Sequence, residues 1–410
     1  MSSARRSPEK AFRRYFLWLT GLFLGAMLLM SVLNTWVNPL WVTMMPWSSK
    51  SFDDYKPIHK APRTGKAGII ANGTWDAVLL GSSRVDIAFD PLLPQWQGRR
   101  VANIALRGAT LNEHLALLNY ATEHQKLDLA IIGVDLADVT NPVTIPPGSG
   151  FEESPLGGGD EFEKNLRYIA GISTFEQTLK SLNYRRTREL AAYTPQGQWL
   201  RRLDRRPLRA VLQFESFRWA DRFTNQRKKS IDVSPKKVEA LHAIIALCRE
   251  KRIRLILCIP PNHAAYLSVF RLKHDPDPGF RADRQTFSRV IAEEAAAHPE
   301  AAPVDLWDFN DFHPLNCEAI PPVVTPPAAP EPAIYWADGT HALPALGTIM
   351  LSRMMGWPVE DSKGAEYGQK LDLSSLEARL KTIADGYERY KVEHPDDFKW
   401  VKENMDKFVR

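Results

Sequence analysis

Twenty-three consecutive residues, Tyr15 to Val37 (YFLWLTGLFLGAMLLMSVLNTWV), carry no charge. As a helix rising ~1.5 Å per residue they extend roughly 34 Å, enough to cross a hydrocarbon core of about 30 Å. The run is apolar on every face, whereas a surface helix carries one apolar stripe, so a bilayer is the environment it fits. Tyr15, Trp18, Trp36 and Trp41 fall where the two membrane–water interfaces would lie. The run is longer than a signal-peptide core and no small-x-small cleavage pattern follows it, which favours an anchor that stays attached. Arg5, Arg6, Lys10, Arg13 and Arg14 precede it against the single acid Glu9. The positive-inside rule then leaves the N-terminus in the cytoplasm and carries everything after about residue 40 across the membrane.

The same basic tail removes nucleic acid from the candidate partners. The formal charge of the 410 residues is +5, and +4 of it sits in the first fourteen, so the rest has no basic patch to lay along a phosphate backbone. At 44% hydrophobic and 25% charged residues the remainder is an ordinary globular composition, long enough to bury a full core. Cys248, Cys258 and Cys317 stand at no metal-ligand spacing. The first two lie in apolar helix and strand patterns and read as small hydrophobes.

Residues 1–14 therefore read as a cytoplasmic basic tail and 15–37 as the anchor. Residues 38–72, Pro- and Lys-rich, read as a connector that holds the body off the bilayer. Residues 73–360 read as the exported body and 361–410 as a charged helical tail. Within the body, "WDAVLLG" from Trp75, "RRVANIAL" from Arg99, "LDLAIIGVD" from Leu127, "RIRLILCIPP" and "APVDLWDF" read as strands. Helical periods alternate with them, the first opening at Thr110 as a cap and others running from Lys236 and Arg284. Strands alternating with helices of this length predict an α/β fold with a parallel sheet covered on both faces. Between Asp135 and Val238 the pattern breaks, and residues 136–234 read as a helical insertion at the carboxyl end of the third strand, where such sheets keep their sites. Its arginines ("WLRRLDRRPLRAVLQFESFRW") read as a solvated face or as a rim for an anionic polymer or lipid headgroups. "IPPVVTPPAAPEPAIYW" reads as a polyproline-like spacer.

Two stretches carry chemistry. In "VLLGSSRVDIAFDP" a glycine ends an apolar strand and two serines and an arginine follow it. The glycine permits a tight turn whose amides can face a bound oxygen. Serines are also common turn formers, and one becomes a nucleophile only when a base takes its proton. In "YWADGTHALPALG", Asp338 and His341 are three residues apart before an apolar helical pattern. That spacing lets a carboxylate accept from one imidazole nitrogen while the other faces out; Asp338 as a cap or turn residue is the alternative.

Taken together, Gly81-Ser82-Ser83 after the first strand and Asp338-x-x-His341 before the last helix resemble the SGNH/GDSL hydrolase superfamily. The resemblance covers residues 75–135 and 236–355. It implies an SGNH-like three-layer arrangement, a parallel sheet flanked by helices. Ser83 is then the nucleophile, His341 the base and Asp338 its orienting acid, with the amides of Ser83 and Gly108 as oxyanion donors. The third block of the family departs here: Asp135 stands where an oxyanion-hole asparagine is expected. Arg84, Arg107, Asp135, Asn262 and His263 are candidate substrate contacts, the last also a second imidazole for the site. No metal or cofactor is implied.

With one membrane segment and a large exported body, the chain is similar to the exported SGNH-like proteins of bacterial envelope acylation, those of teichoic acid D-alanylation and alginate-type O-acetylation. That similarity implies a single-pass protein of the bacterial inner membrane with a periplasmic domain that transfers or hydrolyses acyl groups on an envelope polysaccharide. It also implies a membrane-bound O-acyltransferase as partner. The alternative is a non-catalytic body that binds glycan or scaffolds that partner.

Overall fold

A computed structural model of the chain describes residues 8–200, 208–212, 218, 232–273, 278–320 and 333–408. From the N-terminus the elements are α1 (Pro8–Val37), α2 (Pro62–Asn72), β1 (Ala77–Leu80), α3 (Ser83–Ala88), β2 (Val101–Asn103), α4 (Leu111–His124) and β3 (Leu129–Gly133). Then come α5 (Glu161–Ala170), α6 (Ile172–Thr187), α7 (Leu208–Val211), α8 (Pro235–Lys251), β4 (Arg254–Ile259), α9 (Ala264–Lys273) and α10 (Pro278–Ala297). β5 (Asp305–Asp308), α11 (Pro344–Met355), β6 (Gln369–Lys370), α12 (Leu376–Glu393) and α13 (Pro395–Phe408) complete the chain. Half of the basic tail, most of the arginine-rich stretch after Trp199 and most of the proline-rich spacer lie outside the described residues.

The chain divides into two compact units, Met1–Gly68 with Gly150–Pro195 and Ile69–Ser149 with Gln196–Arg410. In the first, α1 contains one helical stretch, Phe12–Val37, long and apolar enough to cross a membrane. Its last turns pack on α5 and α6. The stretch read as a connector is folded here: Phe52 and Ile58 are fully buried among short 3-10 turns at Lys50–Tyr55 and Ile58–Lys60. The Pro and Lys composition hid two apolar anchors.

The second unit is α/β. Its sheet runs β2-β1-β3-β4-β5-β6, with the first five strands parallel and β6 antiparallel to β5. The sheet is thus mixed, not parallel throughout as the pattern predicted. The added strand is two exposed residues, Gln369 and Lys370, too short and too polar to leave a periodic signal. β1 and β3 are buried at every position, which is why they read as unbroken apolar runs. Helix α4 packs on α8 and α8 on α10, while α3 packs on α11 and α9 on α13. All three cysteines are free and buried.

The segment read as a tail belongs to this unit. Arg379 of α12 donates from Nε to Asp308 at the end of β5 (2.9 Å) and from Nη1 to Asp311 (2.7 Å). Arg284 of α10 donates to the same Asp308 carboxylate (2.8 Å). Burial alone would raise the Asp308 pKa, but the two guanidinium groups outweigh it and hold it at about 2. Removing either partner would strand a buried charge, so this network fastens the C-terminal helices to the sheet.

Candidate active site

β1 ends at Leu80, and the chain turns sharply at Gly81, φ +153°. A Cβ there would lie 2.5 Å from Val85 Cγ2, so the turn requires glycine. Ser82 and Ser83 then take different places. Ser82 is buried and caps α3, its Oγ accepting from the Arg84 amide. Ser83 is the first residue of α3, and its hydroxyl is left to face another element.

That element is the turn before α11. Trp336 and Ala342 form an antiparallel bridge, Ala337 N donates to His341 O (2.9 Å) and Leu343 N to Tyr335 O (2.8 Å), which closes the chain into a tight loop. Inside it the Asp338 carboxylate accepts from the Thr340 and His341 amides at 2.8 and 2.9 Å. It also meets His341 Nδ1 at 2.7 Å through Oδ2. On the other side of the ring, His341 Nε2 stands 2.7 Å from Ser83 Oγ. A carboxylate can only accept, so the Nδ1 proton points to Asp338 and Nε2 is left as the acceptor for the serine proton. The three residues that the two motifs singled out, 258 positions apart in sequence between Ser83 and His341, form one hydrogen-bonded chain.

Close packing fixes that distance. A Cβ on Gly347 of α11 would fall 1.9 Å from the Ala88 carbonyl oxygen of α3, so the helix carrying Ser83 and the helix after His341 touch backbone to side. His263 supports the loop from behind, its amide donating to Gly339 O (3.0 Å). Its ring is buried, with Nε2 against Glu318 O (2.8 Å) and Nδ1 accepting from Ala265 N (3.1 Å). Burial pushes the pKa of this imidazole down to about 4, a shift that the Glu318 carbonyl only partly opposes. It is a neutral structural group and does not join Ser83. Asn262 is likewise inside the body, with its amide and Nδ2 both on Asn310 Oδ1 at 2.9 Å.

Arg84 and Asp135 form the other border. Arg84 Nε lies 3.7 Å from Asp135 Oδ1, an ion pair without a hydrogen bond. Among the described residues, Arg84 Nη1 and Asp135 Oδ1 are buried with no hydrogen-bond partner. His114 of α4 is buried nearby, and neither ring nitrogen makes a hydrogen bond of normal geometry. Desolvation lowers its pKa to about 4, against the pull of the Asp135 charge and the Gly81 carbonyl. Sequence reasoning missed His114, which looks like one more position on the buried face of α4; only the fold shows that it lies within the field of Asp135.

Arg107 is exposed and stacks 4.7 Å over the Trp199 ring. Gly108, also exposed, follows in a turn that begins beside the serine turn, since Leu106 N donates to Gly81 O (2.9 Å). A cavity of ≈ 10 Å³ lies under α3 between Arg84, Val85, Pro260, Thr340 and Met350, room for about one water-sized group. The larger clefts, ≈ 560 Å³ beside Phe280 and Ile383, ≈ 700 Å³ beside Cys248 and His298 and ≈ 630 Å³ beside Trp307 and His313, contain none of Ser83, Asp338 or His341. Among the described residues no three His, Cys, Asp or Glu side chains are grouped to hold a metal ion.

No family model matches the chain, and no curated protein matches it.

Proposed function

We propose that the chain is a membrane-anchored acyltransferase or esterase of the SGNH/GDSL kind, acting on hydroxyl groups of a bacterial envelope polysaccharide. The observation that carries this reading is the continuous Ser83–His341–Asp338 chain, 2.7 Å at both links. Its members sit at a strand end and at a helix entrance. Ser83 Oγ attacks the acyl carbonyl while His341 Nε2 takes its proton, and Asp338 stabilises the imidazolium. The tetrahedral intermediate expels the donor alcohol, which leaves with the proton from His341, and an acyl ester remains on Ser83. A sugar hydroxyl or a water then gives its proton to His341 and attacks that ester, and the proton returns to Ser83 as the C–O bond breaks. Backbone amides of Ser83 and Gly108 are the proposed oxyanion donors, each worth ~3–4 kcal/mol where such a donor has been removed elsewhere.

The apolar helix and its basic N-terminal flank support a single-pass inner-membrane protein with the catalytic body in the periplasm, and the resemblance adds a membrane-bound O-acyltransferase as partner. A second reading, a non-catalytic glycan-binding or scaffolding partner, is favoured by one observation: a carboxylate, Asp135, occupies the third block. Incubation of the detergent-solubilised protein with a chromogenic short-chain acyl ester separates the two. Catalysis gives a stoichiometric burst and an acyl adduct on Ser83, both absent in Ser83→Ala. Glycan binding with no burst and no adduct gives the scaffold.

A further inference from the structure

Helix α5 leaves two large apolar side chains, Phe162 and Leu166, exposed. Phe162, Leu166, Ile169 and Ala170 recur at i, i+4, i+7 and i+8 and form one face. The groups that fasten the helix to the loop before it lie elsewhere: Tyr168 donates to Glu153 O (2.7 Å), and Lys164 Nζ reaches the carbonyls of Ser154, Gly157 and Gly158 at 2.7–2.8 Å. The outer part of that face is bare, with Phe162 75% and Leu166 52% exposed and Ile172 at the start of α6 72% exposed, while Ile169 and Ala170 are half-buried. A helix at a water-facing surface places its apolar stripe on the core; α5 leaves Phe162 and Leu166 outside it.

Its place along α1 says what covers that face. Met27, Met30, Ser31 and Asn34 fall on one side of α1 and are partly or fully buried, and Thr35 and Val37 at its end are buried as well. Asn34 Nδ2 donates to Ile169 O (3.0 Å), and Thr178 Oγ1 of α6 donates to Asn34 Oδ1 (2.8 Å). The α5–α6 junction is therefore tied to residue 34. Counting about twenty residues from Tyr15 for a hydrocarbon core brings the far boundary of the bilayer to the same level. Trp36 and Trp47 are exposed beside it, and Trp47 Nε1 donates to Thr35 Oγ1 (3.0 Å), as interfacial indoles do.

We propose that α5, with Ile172, lies in the plane of the far membrane–water interface, with Phe162 and Leu166 among the acyl chains and Glu163 and Arg167 in water. This rests on the reading that α1 spans the bilayer, and the lipid that covers α1 then covers Phe162 as well. Two acids, Glu161 and Glu163, balance two bases, Lys164 and Arg167, so the contact is apolar rather than a response to anionic headgroups.

The test uses the full chain in phospholipid nanodiscs of phosphatidylethanolamine with phosphatidylglycerol. Nitroxide labels are placed on Phe162→Cys, Leu166→Cys, Arg167→Cys and Leu22→Cys; the native thiols are buried. The expected result is that labels at Phe162, Leu166 and Leu22 collide more with dissolved oxygen than with a water-soluble nickel chelate, that the label at Arg167 does the opposite, and that omitting phosphatidylglycerol changes neither. Labels at Phe162 and Leu166 that read as aqueous while Leu22 reads as lipid overturn the proposal and leave the anchor standing. Labels at Phe162 and Leu166 shielded from both reagents mean a protein surface covers α5, which also overturns it. An aqueous Leu22 overturns the anchor itself.

Discussion

The turn before α11 and the exit of β3 each bring an aspartate towards the start of α3, and the two are satisfied very differently. Asp338 accepts from the Thr340 and His341 amides and holds His341 Nδ1 at 2.7 Å. Asp135 has a guanidinium at 3.7 Å and, among the described residues, no hydrogen bond to Oδ1. The first carboxylate is locked to one imidazole by short local bonds and fixes its tautomer. The second is held loosely, beside the equally under-satisfied Arg84 and His114. Organised electrostatics is therefore on the His341 side of Ser83, and Asp135 is no substitute for an oxyanion donor.

The contrast is sharpest in catalysis. Asp338→Asn keeps an acceptor for the turn amides but removes the carboxylate that fixes Nδ1–H, and ester turnover should fall roughly ten-thousand-fold. Asp135→Asn should leave turnover within about tenfold, since the pair with Arg84 that it weakens is long and makes no hydrogen bond. Steady-state hydrolysis of a chromogenic ester compares them, and an equal loss in both variants would erase the distinction.

Packing should come next in size. Gly347→Ala drives a Cβ into the Ala88 carbonyl at 1.9 Å, which no rotamer relieves, so α11 must move away from α3. A cost of ~1–3 kcal/mol is expected for such overpacking, together with loss of ester turnover in protein that is still folded. Denaturant unfolding in detergent and turnover on the same sample check both. Unchanged turnover would mean that the α3–α11 contact does not set the Ser83–His341 distance.

Acid sensitivity should be carried by both sides. His114 and His263 are each held by burial at a pKa of about 4, below the ~6.5 of an exposed imidazole. The unfolded chain thus binds a proton at each residue in the window where the folded chain does not. Their stabilising contribution is complete above pH ~6.5 and is lost as the pH falls towards 4, at no more than ~1.4 kcal/mol per pH unit for each. His263→Gln should flatten the slope of unfolding free energy between pH 6.5 and 4.5 by up to one proton. A slope unaltered in that variant would mean that His263 is protonated in the folded protein. The smallest effect should be that of Asp135→Asn on stability, within ~1 kcal/mol.

Much of this was readable from local pattern. The long apolar helix, the doubly buried strands and the two motifs depend on neighbours in sequence, and each motif holds its own geometry: glycine before Ser82, Asp338 three residues before His341. What escaped depends on distant partners. Thr110 stands at the start of α4, but its hydroxyl bonds Thr144 O, and Asp138 Oδ2 takes the Leu111 amide at 2.7 Å instead. Asp138 itself meets Lys237 Nζ at 2.6 Å, a buried pair no local window reveals. The C-terminal helices carry many charges, and nothing in the local pattern marks Arg379 as one of the buried ones. Within the insertion, sequence gives the two faces of α5 and not which one faces out.

Covalent labelling by a serine-directed fluorophosphonate, read by peptide mass spectrometry on the detergent-solubilised full chain, tests the central claim most directly. The expected result is one adduct on Ser83, lost in Ser83→Ala and His341→Ala and retained in Ser82→Ala. An adduct on another residue, or none between pH 6 and 9 in a folded protein, would contradict a nucleophilic Ser83.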